Sequence, residues 1–173
     1  MRIFAYLAFS ALLAMSVLSA NAQNYDKGLA AYYAGDYQTA FKELMPLAEQ
    51  GKAEAQFILG SMHYYGRSVV QDRAEAFKWF RLAASNGSNM SQLYLGLLYQ
   101  FGDGVEQDNI RAHMWYNIAS ANGLTDGPIS GSHFRSLISL KMRHDNITKA
   151  ESMATECVKS GYEVRVVIKS VNW

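Results

Sequence analysis

The sequence predicts an all-α fold in which short helical hairpins stack in a row. Three observations predict it. A segment of 36 residues occurs twice in succession, apolar residues in each copy recur at helical spacing, and glycines and aspartates stand where those helices would end and begin. A repeat period of about 20 to 50 residues is typical of solenoids, whose units each bury an apolar face against the next unit.

The two copies cover residues 52–87 and 88–123, and twelve of the 36 aligned positions are identical without a gap. The first helix of each copy is predicted over 53–65 and 89–101, where alanine, serine, leucine and methionine recur three or four residues apart. Each copy therefore begins with an amphipathic helix.

A second helix is predicted over 73–85 and 109–121. Asp72 and Asp108 directly precede these segments, where an aspartate side chain accepts hydrogen bonds from free backbone N–H groups. Small and aromatic residues then recur at i, i+3, i+4 and i+7, the pattern of a helix that buries one face.

The residues that recur in both copies are predicted to form the apolar core, the helix caps and the turns of the repeat. Glycine inside a helix costs about 1 kcal/mol relative to alanine, so a glycine at the same place in both first helices predicts a closely approaching partner helix. Glycines after each helix suit the left-handed backbone that ends helices. The predicted signature of the repeat is Gly60, Gly66, Asp72, Ala76, Trp79, Gly87, Gly96, Gly102, Asp108, Ala112, Trp115 and Gly123.

The N-terminal segment reads as a secretory signal peptide over 1–22. A cation, Arg2, precedes an apolar run that is short for a membrane span, and Ala20-x-Ala22 offers a cleavage site. We therefore expect an exported protein, in the periplasm or secreted, that does not span the membrane after the signal is removed. An uncleaved N-terminal anchor is the alternative.

The remaining segments flank the two copies. A shorter copy over 23–51 is predicted to cap the solenoid, and capping helices are expected over 124–160. In the latter, Thr148 begins a possible capping box for the last helix, with Asn146 as a competing cap. The tail, 161–173, alternates apolar and polar residues, so it either lies extended or pairs with a strand of another chain.

Charge and cysteine content exclude several classes. Sixteen Lys and Arg residues face fifteen Asp and Glu residues, and no basic stripe is present, so we expect no nucleic-acid partner. Cys157 is the one cysteine, so the fold cannot depend on intramolecular disulfides. We interpret this residue as a small buried hydrophobe.

The repeated residues resemble the motif of the Sel1-like repeat family, whose members are related to the tetratricopeptide repeat. The second copy carries the motif at Leu95, Gly96, Tyr99, Gly102, Gly104, Val105, Asp108, Ala112, Trp115, Tyr116, Ala119 and Gly123. The first copy departs from it at His63 and Ser68. The resemblance covers residues 25–123 and, more loosely, 124–160.

The resemblance implies a right-handed α-solenoid whose first helices line a concave face. It also implies a scaffold or adaptor that binds proteins or peptides, and exported members are linked to envelope assemblies and host contact. A cysteine-rich branch of the family resembles β-lactamases in its activity, but that branch has a disulfide pair in each repeat, which this chain cannot form.

A search for catalytic chemistry finds no candidate site. The four histidines, His63, His113, His133 and His144, are not spaced as metal ligands, and no nucleophile or phosphate-binding motif is present. We therefore predict no enzyme activity, cofactor or metal, and interpret His63 and His113 as packing residues. The alternatives are a hydrolase acting on β-lactams or cell-wall material, and a structural subunit of an envelope machine.

The predicted binding groove lies on the side of each first helix opposite the alanine–leucine stripe. Exposed aromatic and leucine side chains in a row are typical of a peptide-binding groove lined by helices. The candidates are Leu29, Tyr32, Phe57, Ser61, Tyr64, Leu93, Leu97 and Gln100. Packing between neighbouring first helices is the alternative role for these residues.

Overall fold

The computed structural model describes residues 21–162, and this part of the chain is all helical apart from turns and loops. Its helices are α1 (21–34), α2 (Tyr37–Glu49), α3 (Ala53–Tyr65), α4 (Arg73–Ser85), α5 (Asn89–Phe101), α6 (Asn109–Ala121), α7 (Gly131–Ser139) and α8 (His144–Lys159). From α2 to α7 each helix packs against the next one in the chain. The α-solenoid predicted from the repeats is confirmed.

The repeat helices begin and end where the sequence pattern predicts. Asp72 accepts a hydrogen bond from the backbone N–H of Glu75 at 2.9 Å, and Asp108 accepts two, from Ile110 and Arg111. Gly66 and Gly102 end α3 and α5 in the left-handed region, each with a φ of 69°. The caps of one repeat are therefore built in the same way as those of the next.

Glycines inside the first helices allow the second helices to approach closely. A Cβ at Gly60 would lie 2.7 Å from the ring of Phe80, and a Cβ at Gly96 would overlap the ring of Tyr116. Gly28 in α1 has the same relationship to Leu44, at 2.7 Å. α1 and α2 therefore pack against each other through the same kind of close approach.

The apolar core runs along the solenoid in two clusters. One lies between α1, α2 and α3, and the other extends from α4 to α8. Phe57 contacts both clusters and joins them. Trp115 is buried and Trp79 is half-buried against the first cluster, as expected for repeat residues that pack between helices.

The start of the last helix differs from the prediction. α8 begins at His144, and the Thr148 hydroxyl donates to the backbone oxygen of His144 from inside the helix. Thr148 and Asn146 therefore cap nothing, because the helix starts before both of them. Cys157 lies on α8 and is fully buried, and burial raises the pKa of its thiol to about 11.

Two predictions fall outside the described residues. The apolar run and charged start of the expected signal peptide lie within 1–20, and all but the first two residues of the strand-like tail lie within 163–173. The described chain ends at Tyr162, whose hydroxyl accepts a 2.7 Å hydrogen bond from the Asn122 amide.

Candidate peptide-binding face

A concave pocket of about 400 Å³ lies between α1, α3 and the turn that leads into α5. Its walls combine aromatic and aliphatic side chains with amide and hydroxyl groups, the usual composition of a binding pocket. The lining residues are Tyr25, Leu29, Tyr32, Tyr33, Ala53, Glu54, Phe57, Ile58, Asn86, Gly87, Ser88, Asn89 and Met90.

Charge at the rim of this pocket is largely internally compensated. The Lys52 ammonium lies 4.1 Å from the centre of the Tyr25 ring and 3.7 Å from the Glu54 carboxylate. The Tyr25 ring and the Glu54 carboxylate therefore both contact the same ammonium group. The remaining walls offer apolar area and neutral hydrogen-bonding groups, which suit an uncharged segment of a partner.

Three of the eight predicted groove residues line the pocket: Leu29, Tyr32 and Phe57. Leu97 is half-buried against the core. Tyr64 is also half-buried, and the Arg73 guanidinium lies 3.7 Å from the centre of its ring. Both side chains stand at the edge of the core instead of in an open groove.

The other three candidates do not present their side chains to a groove. Leu93 is fully buried in the core, and Ser61 is buried with its hydroxyl donating to the backbone oxygen of Phe57. The Gln100 side-chain oxygen accepts a 2.6 Å hydrogen bond from the Tyr116 hydroxyl. The sequence alone predicts these residues at the surface, because α3 and α5 are apolar around most of their circumference and periodicity does not determine their rotation.

An exposed stripe lies about one residue further along each first helix, at its ends. On α3 it includes Glu54 and Tyr65 and on α5 it includes Phe101, whereas Ile58 between them on α3 is buried and Tyr94 on α5 is half-buried. Helical side chains point back toward the N-terminus and cover the turn before their own Cα, which shifts the covered surface by about this amount. Sequence reasoning missed this stripe, although one signal was available: aromatic residues recur at its last position.

Aromatic rings connect α3 and α5, the first helices of two successive hairpins. The ring of Tyr94 lies 5.5 Å from that of Phe57 and 6.3 Å from that of Tyr64, so α3 and α5 pack side by side through their side chains. Burial raises the pKa of Tyr94 above its usual value, and a hydrogen bond between the Tyr94 and Tyr65 hydroxyls raises it further. The Tyr94 phenol therefore stays protonated and neutral at physiological pH.

Arg67 fixes the tyrosines between α1 and α3. Its guanidinium donates a 2.6 Å hydrogen bond to the Tyr32 hydroxyl and lies 4.9 Å from the centre of the Tyr65 ring. Burial raises the pKa of Tyr32, while the nearby guanidinium opposes that shift. The Arg67 guanidinium thus holds the Tyr32 and Tyr65 side chains in place at the edge of the pocket.

The histidines do not gather into a site. His113 is buried between α6 and α7, with Nε2 3.1 Å from the Ser139 hydroxyl, whereas His133 and His144 are exposed. His63 is half-buried beside Phe41. Within residues 21–162, no group of three or more His, Cys, Asp or Glu side chains could hold a metal ion.

Comparison with known proteins agrees with this geometry. The sequence model described as the Sel1 repeat matches residues 53–88 and 89–124, which are the α3–α4 and α5–α6 hairpins. Residues 53–124 thus match two successive Sel1 repeats. Such repeats typically mediate protein–protein interaction.

Two solved structures resemble the Sel1-repeat chain. One is a protective antigen present in uropathogenic Escherichia coli strains that displays an SLR fold; it matches with a TM-score of 0.74 and 23% identity over 88% of this chain and 33% of its own. The other is a Sel1 repeat protein from Oxalobacter formigenes, with a TM-score of 0.54 and 31% identity over 57% of this chain and 39% of its own. This chain thus spans well under half the length of either relative.

No curated protein matches the Sel1-repeat chain. Among the helices of the described residues, none is long and apolar enough to cross a membrane.

Proposed function

We propose that this Sel1-repeat protein is a non-catalytic scaffold that binds a protein or peptide segment on its concave face. The observation that carries the proposal is the pocket between α1, α3 and the start of α5. It combines a concave shape with exposed aromatic area, including Tyr33, which is 79% exposed. Aromatic side chains are enriched in binding hot spots because they bury a large area with few rotatable bonds.

The electrostatics of the face support a neutral or weakly charged partner segment. Arg67 and Arg73 both lie against tyrosine rings, and Arg73 also approaches the Asp103 carboxylate to 3.4 Å. These cations are therefore not displayed as a binding patch for an anionic polymer. Affinity should consequently depend little on salt concentration.

The cellular place of this scaffold is part of the proposal. The cation, apolar run and Ala20-x-Ala22 motif at the N-terminus support export, with service as an adaptor in the cell envelope. N-terminal sequencing of the protein recovered from an envelope fraction tests this. A chain that begins after Ala22 in the periplasm supports export, and an intact N-terminus in the cytoplasm contradicts it.

A peptide-display selection on the purified protein tests the binding function. We expect enriched peptides to lose at least about fivefold in affinity for Tyr33→Ser, because a large exposed ring of the pocket is removed. Leu140→Ser is the matched control, since Leu140 is 84% exposed and lies at the end of α7, among no pocket residues. Failure to enrich any peptide, or equal loss in both variants, would contradict the proposal.

The absence of catalysis needs its own assay. Nitrocefin and peptidoglycan turnover by the purified protein should not exceed the rates measured without protein. Turnover above that background would favour the hydrolase alternative.

A further inference from the structure

A second groove lies between α6 and α8, near the C-terminal ends of both helices. Its volume is about 340 Å³, and it is lined by residues between Asn117 and Ala121 of α6 and between Ala154 and Lys159 of α8. None of its lining residues belongs to the pocket between α1, α3 and the start of α5. A role for this groove is therefore separate from the proposed function.

The open side of the groove is apolar and lies at one end of the solenoid. Val158 is 44% exposed and Ala121 is also exposed, whereas Ile118 and Ala154 are buried. Among the described residues, α8 is the last helix. The terminal unit of a solenoid needs a polar outer face, because no further unit covers its apolar side. An apolar segment laid along this groove would cover that side.

The uncharged polar side chains of the groove walls already have partners. The Asn117 side-chain oxygen accepts a 2.6 Å hydrogen bond from Arg135, and the Thr155 hydroxyl donates to the backbone oxygen of Glu151 at 3.0 Å. The surface left for an occupant is therefore mainly aliphatic. Such a surface favours aliphatic side chains over a polar ligand, whose hydrogen bonds to water would be lost without replacement.

The chain leaves α8 beside one end of this groove. Gly161 and Tyr162 have left-handed φ values of 67° and 64°, and the Tyr162 N–H donates a 2.9 Å hydrogen bond to the backbone oxygen of Cys157, which closes the helix end. The Tyr162 hydroxyl also accepts a 2.7 Å hydrogen bond from the amide of Asn122, the residue after Ala121 of the groove wall. The segment that follows Tyr162 therefore starts next to the groove.

The segment 163–173, which lies outside the described residues, has the length and the pattern that the groove requires. Val164, Val166 and Ile168 are spaced two residues apart, so in an extended chain they share one face and repeat about every 7 Å. The lining residues span about 6 to 8 Å along α6 and α8, at about 1.5 Å per residue. The groove is thus long enough for two of these aliphatic side chains.

Attachment to α8 favours this segment over a free peptide as the occupant. A site on a short flexible tether experiences an effective concentration of its partner in the millimolar range. A free peptide would in addition lose its translational and rotational freedom on binding, which opposes association. Weak apolar contacts are therefore sufficient for the tethered segment and insufficient for a free peptide of the same sequence.

We propose that the segment 163–173 docks in the α6–α8 groove of its own chain, with Val164 and Val166 between the two helices. The docked segment covers the exposed side chains of Val158 and Ala121. It thereby forms the C-terminal cap of the solenoid, in place of a further helical unit.

Limited proteolysis of the full chain by trypsin tests this proposal. Trypsin cuts after Lys169, and its access depends on the fraction of molecules in which the segment is released. A synthetic peptide of residues 160–173 gives the rate for the free segment. We expect cleavage after Lys169, followed by mass spectrometry, to be at least about tenfold slower in the full chain than in the peptide.

Variants of the groove and of the segment identify the docking site. Val158→Gln places an amide in the groove and should raise the cleavage rate after Lys169 at least about fivefold. Val70→Gln is the matched control, because Val70 is 88% exposed between α3 and α4, and it should leave the rate unchanged. The double change Val164→Ser, Val166→Ser should raise the rate as Val158→Gln does. It leaves all eight helices unaltered, and circular dichroism melts show whether Val158→Gln has unfolded.

Three outcomes would overturn the proposal. One is cleavage after Lys169 as fast in the full chain as in the peptide. Another is protection that both Val158→Gln and the double segment variant leave unchanged, because the segment would then be held elsewhere. The third is protection that increases with protein concentration together with dimers in sedimentation velocity, which would place the segment in the groove of a second copy. The peptide-display selection is independent of all three.

Discussion

Asn122 donates a 2.9 Å hydrogen bond from its side-chain amide to the Oε1 of Gln92. Gln92 is fully buried, and its own amide donates to the backbone oxygen of Ala84 at the end of α4. One repeat earlier, Asn86 bonds to Gln56 at 2.9 Å, and Gln56 donates to the oxygen of Ala48. Each glutamine thus links the end of the preceding hairpin to the end of its own.

This relationship predicts the effect of Gln92→Leu. The substitution removes the buried amide that joins Ala84 to Asn122, while the Ala84 carbonyl keeps its 3.1 Å hydrogen bond from the Gly87 N–H, so we expect a loss of about 0.5 to 1.5 kcal/mol. We expect a fall in Tm of roughly 2 to 4 °C per kcal/mol for a chain of this size. Thermal unfolding monitored by circular dichroism measures it.

Gln38→Leu is the control, since Gln38 is exposed on α2. It should change the stability by less than about 0.5 kcal/mol. A double-mutant cycle of Gln92→Ala and Asn122→Ala should show coupling, because the two amides bond to each other. Strictly additive effects would contradict a linked pair.

A second prediction concerns Gly96→Ala in α5. Alanine is favoured over glycine in a helix by about 1 kcal/mol, so an open site would be stabilised. Here the added methyl meets the Tyr116 ring, which is buried and stacked on Phe134 at 5.5 Å and so cannot move away. Overpacking of this kind costs about 1 to 3 kcal/mol, and we expect net destabilisation in urea titrations.

The matched control is Ser152→Ala, an exposed position within α8, where the helix preference for alanine should act alone. Combining Gly96→Ala with Tyr116→Leu should cost less than the sum of the single changes, since the smaller side chain relieves the overlap. If Gly96→Ala stabilises the protein, the close approach of α5 and α6 is wrong.

How accurately the sequence predicts the bounds and packing of a helix depends on whether that helix has a second copy in the chain. For α3 to α6, comparison of the two repeats identified the helix bounds, the caps and the close approach at Gly60 and Gly96. α7 and α8 have no such copy, and the local signal at Thr148 predicts a helix start that is wrong, because α8 begins at His144.

The candidate site was predicted less well than the fold for a related reason. Periodicity places residues on a helix, but it does not say which side of an all-round apolar helix faces solvent. The sequence therefore favours Tyr64 over Tyr65, one residue away, although Tyr65 is the more exposed of the two. Only the packing of neighbouring helices decides between these two rotations.

The aspartate caps give a third prediction. Asp108→Ala removes a carboxylate that accepts hydrogen bonds from two backbone N–H groups. Asp72→Ala removes a carboxylate that accepts a hydrogen bond from one backbone N–H group. Losing such a cap costs about 1 kcal/mol, and we expect Asp108→Ala to be at least as destabilising as Asp72→Ala. Asn at either position should retain most of the stability in the same unfolding assay, because its side-chain oxygen can still accept. Equal losses for Ala and Asn would mean that charge, not capping, matters.

The last prediction is a pH dependence that originates at His113. Burial lowers the pKa of this imidazole below its usual value, with Glu151 on α8 opposing the shift and Arg135 on α7 adding to it. Below about pH 6.5 the unfolded chain binds a proton that the folded chain does not. Protons therefore favour the unfolded state, and stability falls as the pH drops from about 6.5 to the lower pKa of the folded protein.

His113→Gln tests this, because an amide does not titrate and can still reach the Ser139 hydroxyl that lies 3.1 Å from Nε2. We expect the Tm of the unchanged protein to fall more between pH 7.5 and pH 5.5 than that of His113→Gln. His144→Gln is the control for the substitution itself, since His144 is exposed at the start of α8. Parallel pH profiles for the unchanged protein and His113→Gln would show that the loss of stability in acid arises at other groups.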